Sequence, residues 1–167
     1  MQHKSFAGMQ CPIARSLERV GEWWSILILR DAFLGSTRFD EFQKSLDIAP
    51  GMLTRRLNAL VDSGMLKRRR YSQRPPRDEY LLTPLGRDFR EVLWSLLAFG
   101  NRNFAFEGEA VQIVDVETGA KAEPVMVDKI SGRELRAPAF RAVAGPAAGE
   151  HLRARYGASP VEQRGAS

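Results

Sequence analysis

Arg55, with Thr54, Arg56 and Asn58 beside it, and a second basic group at Lys67, Arg68, Arg69, Arg70, Arg74 and Arg77 are the side chains of this 167-residue chain whose types and spacing can do chemistry. That chemistry is donation of hydrogen bonds to anions and to polar edges. A guanidinium is planar, permanently charged and donates in a fork that fits two acceptors at once. Residues 50–80 hold eight basic and three acidic side chains and carry the whole formal net charge of +5. Residues 1–49 hold six of each sign, and residues 81–167 eleven of each. Charge focused in this way suits a polyanion; the bland alternative is a solvated loop.

Bond-making chemistry has little to stand on. No Walker-type loop, G-x-S-x-G elbow or H-E-x-x-H pair is present, so no catalytic residue is assigned. The single cysteine, Cys11, excludes a disulfide within one chain and a multi-thiolate metal site, and His3 and His151 lie near opposite ends. No metal or cofactor is expected. The longest apolar run, Ile26 to Leu29, is far short of the roughly 20 residues of a membrane span. The N-terminus lacks the apolar core of a signal peptide, so the expected location is the cytoplasm, with no membrane partner.

The elements that must position these residues follow from apolar periodicity. Ile13 to Val20 reads as a short helix broken by Gly21. Trp23 to Leu34 is apolar almost all round and predicts a helix buried on most sides. Asp40 to Leu46 predicts a third helix, with Asp40 as N-cap and Gln43 three residues on. Ile48, Ala49 and Pro50 open a fourth that runs to Ser63, with Gly64 as its stop. Leu53, Leu57, Leu60 and Val61 form its core stripe, which sets Gly51, Arg55, Asn58 and Asp62 on the opposite face. Two strands, Leu66 to Tyr71 and Asp78 to Leu82, flank a polar loop containing Pro75 and Pro76. Thr83-Pro84 then starts one long helix carrying two apolar faces, the second including Trp94 and Leu97. Beyond Gly108, strands at Val111 to Val116 and Pro124 to Ile130 predict a β-hairpin, and the chain from Ala142 onward reads as weakly ordered. The expected organisation is residues 1–106 as the main domain, 107–142 as the hairpin extension and 143–167 as the tail.

Three helices, a two-stranded wing and a further helix fit a winged helix-turn-helix, mainly α with a small β wing. The second helix of such a pair enters the DNA major groove, where each base pair presents a distinct donor and acceptor pattern. Here that helix is Pro50 to Ser63, with Arg55 outward; Thr54, Arg56 and Asn58 would reach bases or phosphates, and Arg74 and Arg77 lie in the wing loop. Three stretches, CPIARSLERVGEWWSILILRDAFLGSTRFDEF, LTRRLNALVDSGMLKRRRY and RPPRDEYLLTPLGR, resemble the HxlR-type family of bacterial winged helix-turn-helix transcriptional regulators over about Cys11 to Gly100. The resemblance implies a homodimer on double-stranded DNA, with the first and last helices of the domain at the dimer seam. It also implies a backbone contact near Arg38 and a wing tip shaped by Pro75-Pro76. Ala49 stands where the family often has serine, which removes a cap or a phosphate contact. Some relatives carry a Cys-x-x-Cys-Gly knuckle where this chain has Asp128-Lys129-Ile130-Ser131-Gly132, so the hairpin is expected to be held by packing alone.

The expected DNA-contacting set is therefore Arg38, Gly51, Thr54, Arg55, Arg56, Asn58, Arg70, Arg74 and Arg77. Some of Arg68 to Arg70 are expected to reach phosphates, and the rest to lie in solvent. In several relatives a cysteine at the place of Cys11 senses oxidants or electrophiles, which makes Cys11 a candidate redox sensor; the alternative, since a cysteine here is common in the family whether or not it senses anything, is a small apolar residue at the start of the first helix, against the dimer seam. Trp23 is read as core, and Trp24, Trp94 and Leu97 as a dimer seam or the pocket of an unidentified small-molecule effector. Arg30-Asp31 is read as a structural ion pair or a cap rather than a site, and Glu22, Asp40 and Glu41 as surface residues or caps. The function expected is operator binding on a pseudo-palindrome; the alternative is a winged-helix module that binds protein or RNA, and steep salt dependence on duplex DNA separates the two.

Overall fold

The computed structural model describes residues 5, 6 and 8–157. They form two compact units, one of residues 19–124 and one of residues up to 18 together with those from 125 onward. In chain order the elements are α1 (Pro12–Val20), α2 (Trp23–Phe33), α3 (Phe39–Leu46), α4 (Pro50–Asp62), β1 (Leu66–Gln73), β2 (Pro76–Leu82), α5 (Pro84–Asp88), α6 (Arg90–Phe104) and α7 (Glu150–Tyr156). Among the described residues no helix is long and apolar enough to cross a membrane.

In the larger unit α2 packs against α3, α4, α6 and β2. Ile28 and Leu29 of α2, Phe42 of α3 and Leu53, Leu57 and Leu60 of α4 are 0% exposed. Burying each such side chain contributes about 1.5–3 kcal/mol, so this seam fixes which face of α4 is left for solvent. Trp23, read as core, is 73% exposed, and Leu34 is 79% exposed. The buried residues of α2 are Ser25, Ile28, Leu29 and Asp31, so the helix is packed along one side and the all-round apolar composition overstates its burial. Asp31 is buried and ion-paired with Arg30 at 2.8 Å, the structural pair expected.

The entry to α3 is held by Glu41 rather than Asp40. The Glu41 carboxylate accepts from the amides of Thr37 (2.7 Å) and Arg38 (2.9 Å), the free donors just outside the helix. Those amides, Thr37 first, hold its carboxyl below the usual glutamate range. The helix α4 begins with Pro50 after Ala49, whose side chain makes no cap, and stops at Gly64 (φ 75°).

β1 and β2 pair antiparallel from Leu66 opposite Leu82 to Gln73 opposite Pro76. They run farther than the sequence predicts, leaving Arg74 and Pro75 as a two-residue turn. Pro76 fits as the first residue of β2, one of the few places in a strand where proline is tolerated. The register shifts between Arg70 and Ser72, so Tyr71 is the extra residue of a bulge.

The single helix expected after Thr83 is two. The Thr83 hydroxyl accepts from the Gly86 amide at 3.0 Å and donates to the Gly64 carbonyl at 2.6 Å. α5 then ends where the Phe89 amide bonds the Gly86 carbonyl, a tightened turn, before α6 begins at Arg90.

The hairpin expected between 111–116 and 124–130 does not form. Each segment instead turns back on its own successor, giving isolated bridges of Val114 with Lys121 and of Val127 with Glu134. Packing is not alone in holding these turns, since each has an aspartate carboxylate bonded within it. In the first, the Asp115 carboxylate accepts from the amides of Glu117 and Thr118 and from the Thr118 hydroxyl. In the second, Asp128 accepts from the amides of Ile130 and Ser131 and from the Ser131 hydroxyl. Gly119 (φ 70°) and Gly132 (φ 68°) close them, so Asp-x-x-Thr-Gly and Asp-x-x-Ser-Gly are two copies of one device. The tail is also more ordered than its composition suggests: Ala144 is buried, its amide donates to the Gly157 carbonyl at 3.0 Å, and α7 lies between them. His3 and the rest of the expected tail, residues 158–167, lie outside the described residues.

Candidate nucleic-acid interface

With Leu53, Leu57 and Leu60 turned inward, Gly51, Thr54, Arg55, Asn58 and Asp62 of α4 are exposed. Arg55 has no hydrogen-bond or ion-pair partner among the described residues, so its full donor fork is available. Thr54 differs: its hydroxyl donates to the Pro50 carbonyl one turn back at 2.9 Å, which leaves its oxygen as an acceptor. Gly51 has open space around the position of a Cβ, so α4 presents bare backbone there.

Arg56 departs from the expected set. Its side chain is 17% exposed and pairs with Glu22 at 3.0 Å, so it faces the body of the domain. The reason is its position at the edge of the buried stripe, beside a carboxylate that precedes α2. Asn58 stays on the exposed face, but its amide oxygen accepts from Arg68 of β1.

The wing sorts its cations by strand register. Arg69 pairs with Glu79 (2.6 Å) and Arg70 with Asp78 (2.7 Å), each with the residue directly opposite. Asp78 is held below the usual aspartate range chiefly by its hydrogen bond from Arg70. Arg70 is thus a partly neutralised contact candidate. Lys67, Arg74 and Arg77 are exposed and carry no acid partner among the described residues. Arg74 occupies the turn; Arg77, expected in the loop, lies on β2 opposite Ser72.

Arg38 joins the wing to the helices. Its guanidinium lies over the Tyr71 ring at 4.7 Å, its backbone bridges Glu79, and the Tyr80 amide donates to the Thr37 carbonyl at 2.7 Å. The bulge at Tyr71 makes the stack, and no short-range sequence signal could reveal it. Arg68, which the sequence leaves open between a phosphate contact and a solvated side chain, instead meets Asn58, a link that depends on how β1 lies against α4.

The remaining candidates do not converge. Leu97 lines a cavity of about 150 Å³ with Asn101, Glu109 and Lys121, and neither Trp24 nor Trp94 belongs to its wall. Trp24 packs on the core, whereas Trp94 is 44% exposed on α6. In the smaller unit Cys11 is half-buried in a cleft of about 450 Å³ with Met9, Ile13, Leu17, Leu152 and Tyr156. The amides at the start of α1, Ala14 foremost, hold its thiol below the usual cysteine range, with smaller help from Tyr156 and Arg155.

The fold has counterparts among known proteins. A Mycobacterium tuberculosis protein known as an uncharacterized HTH-type transcriptional regulator is 36% identical over 126 residues, which is 75% of this chain and 80% of that protein. The structure of a Pseudomonas aeruginosa protein, PA1374, described as a candidate transcription factor, matches with a TM-score of 0.64 and 56% identity over 87% of this chain and 99% of its own. The redox regulator HypR in its reduced form matches with a TM-score of 0.52 and 31% identity over 56% of this chain and 95% of its own. Residues 19–107, which hold α2 through α6, match the HxlR-like helix-turn-helix family, and this chain belongs to that family as a transcription regulator of the helix-turn-helix type.

Proposed function

We propose that the protein binds double-stranded DNA sequence-specifically as a homodimer on a pseudo-palindromic operator. The observation that carries this reading is the contrast on α4: Arg55 stands exposed and unpaired on the face opposite Leu53, Leu57 and Leu60, next to a wing whose tip carries Arg74. The helix would enter the major groove, Arg55 donating its fork to guanine O6 and N7, while Arg74 and Arg77 reach the backbone or minor groove. Exposed apolar side chains support dimerisation: Ile13 (66%) and Leu17 (48%) on α1, and Trp94 and Phe99 (50%) on α6. Half-sites would lie about one helical turn apart.

Titration of duplex DNA at several salt concentrations tests the reading. A dimer with roughly 6–10 phosphate contacts loses about 10³–10⁵ in affinity between 50 and 200 mM salt. Salt-insensitive or absent duplex binding would favour the protein- or RNA-binding alternative.

A second reading, redox control through Cys11, is favoured by its lowered thiol pKa and by the resemblance to a protein described as a redox regulator. It predicts that mild oxidation changes operator binding in the native protein and leaves Cys11→Ser unaffected.

A further inference from the structure

We infer that Tyr71 is a positioning residue: its ring holds the Arg38 guanidinium ready for a DNA phosphate where the wing meets the helix-turn-helix. The inference rests on the DNA-binding reading above and names one device within it.

Arg38 immediately precedes α3, the first helix of the α3–α4 pair, and in such a pair the first helix crosses the DNA backbone. Its side chain is exposed and carries no ion pair among the described residues. A long exposed arginine normally loses rotamer freedom when it meets a phosphate, and that loss opposes binding. Here both ends of the residue are already placed. Its backbone bridges Glu79 of β2, its amide donates to the Glu41 carboxylate at 2.9 Å, and the neighbouring Thr37 carbonyl accepts from the Tyr80 amide at 2.7 Å. Glu79 in turn stands opposite Arg69 of β1, so β2 lies between the backbone of Arg38 and the strand that carries Tyr71. The Arg38 side chain spans β2, and its guanidinium lies 4.7 Å from the centroid of the Tyr71 ring.

The choice of an aromatic partner matters. A carboxylate would also fix the guanidinium, but it would take up donors and cancel charge, as Asp78 does for Arg70. A ring face attracts the cation through its quadrupole and leaves the positive charge uncancelled and the edge N–H groups free. Those are the two properties a phosphate needs from arginine. Tyr71 is 37% exposed, so the stack lies at the surface, within reach of a backbone.

The test uses the purified full chain and a duplex that the native protein selects from a randomised pool. Arg38→Ala should weaken binding to this and to unrelated duplexes, and make the salt slope shallower by about one for each subunit that touches DNA. Tyr71→Leu, which keeps an apolar side chain but has no ring, should weaken binding about two- to fivefold per subunit. Tyr71→Phe, which keeps the ring face, should bind as the native protein does. In an Arg38→Ala background Tyr71→Leu should cause no further loss. NMR of the free protein checks the stack without DNA: the Arg38 side-chain protons should be shifted upfield by the ring and return to ordinary values in Tyr71→Leu. The proposal is overturned if Tyr71→Leu binds as tightly as the native protein, or if it loses as much with Arg38 absent as with it present. It is also overturned if Tyr71→Phe fails like Tyr71→Leu, which would mark a contact made by the hydroxyl itself. A native protein that shows the ring shift yet selects no duplex would overturn the DNA-binding reading, and this inference with it, a distinct outcome.

Discussion

Arg56 of α4 and Glu22, the residue preceding α2, form an ion pair of 3.0 Å with side chains only 17% and 31% exposed. Adjacent arginines on one helix therefore have opposite tasks: Arg56 faces inward and Arg55 faces solvent. A partly desolvated pair weakens the fold when one partner is removed, because the other charge stays behind. Arg56→Ala is expected to lower stability by about 1–2 kcal/mol, seen as a reduced melting temperature, with operator preference kept in the folded fraction. Arg55→Ala is expected to leave the melting temperature nearly unchanged and to lose about 1–3 kcal/mol of discrimination at one base position. Thermal unfolding and binding to a set of single-base operator variants separate the two. Unchanged affinity and base preference in Arg55→Ala would remove Arg55 from the reading face.

The wing predicts a second contrast. Arg70 already shares its charge with Asp78, whereas Arg74 in the turn has no acid partner among the described residues. Phosphate contacts add to affinity without regard to sequence and steepen its salt dependence. Arg74→Ala should weaken binding to all duplexes and make the salt slope shallower by about one for each wing that touches DNA. Arg70→Ala should change the slope less, since the freed Asp78 carboxylate offsets part of what the arginine contributed. Equal slopes for both variants would show that strand pairing does not rank the wing cations.

Much of this interface was legible in the sequence because one local pattern sets it. The spacing of Leu53, Leu57 and Leu60 decides the buried face of α4 and, by elimination, the face that carries Arg55 and Asn58. Relationships across the fold were not legible. Arg56 sits at the edge of its helix, and Glu22, distant in sequence, decides which way it turns. Trp23 has a core composition but falls on the unpacked side of α2. The two Asp-x-x-Ser/Thr-Gly turns were written in the sequence, yet the valines and isoleucines around them imitate the alternation of a strand.

Gly86 gives a stability prediction that reaches the wing. A Cβ built there would stand 2.1 Å from the carbonyl oxygen of Met65 and 3.1 Å from its carbon, both backbone atoms that cannot step aside singly. Met65 precedes β1, and the same carbonyl accepts from the Thr83 amide at 3.1 Å. Gly86→Ala must therefore push α5 away from the base of the wing. The expected cost is about 1–3 kcal/mol or somewhat more, as for other overpacked sites. Thermal unfolding checks the size, and hydrogen exchange at Thr83 and residue 86, whose amides bond the Met65 carbonyl and the Thr83 hydroxyl, should quicken in the variant. A melting temperature equal to that of the native protein would mean that α5 can move away from Met65 at little cost.

The paired turns of the extension carry a pH dependence of defined sign. Asp115 is held below the usual aspartate range by the Thr118 and Glu117 amides and the Thr118 hydroxyl. Asp128 is held there by the Ser131 hydroxyl first, then by the Ser131 and Ile130 amides. These donors converge only in the folded turn, so the charged carboxylate favours it. A pKa depressed by folding contributes fully above the unfolded value, about 3.9 for aspartate, and is lost as pH falls through the lower folded value. Order in both turns should therefore be constant from neutral pH down to about pH 4 and decline below it. Amide exchange at Thr118 and Ser131, followed by NMR, should show this. Asp115→Ala should loosen Thr118 at neutral pH while leaving Ser131 protected, and Asp128→Ala should do the reverse, since among the described residues each carboxylate bonds within its own turn. If both single variants left both amides as slow to exchange as in the native protein, the turns would be held by their bridges and glycines alone, and the carboxylates would be bystanders.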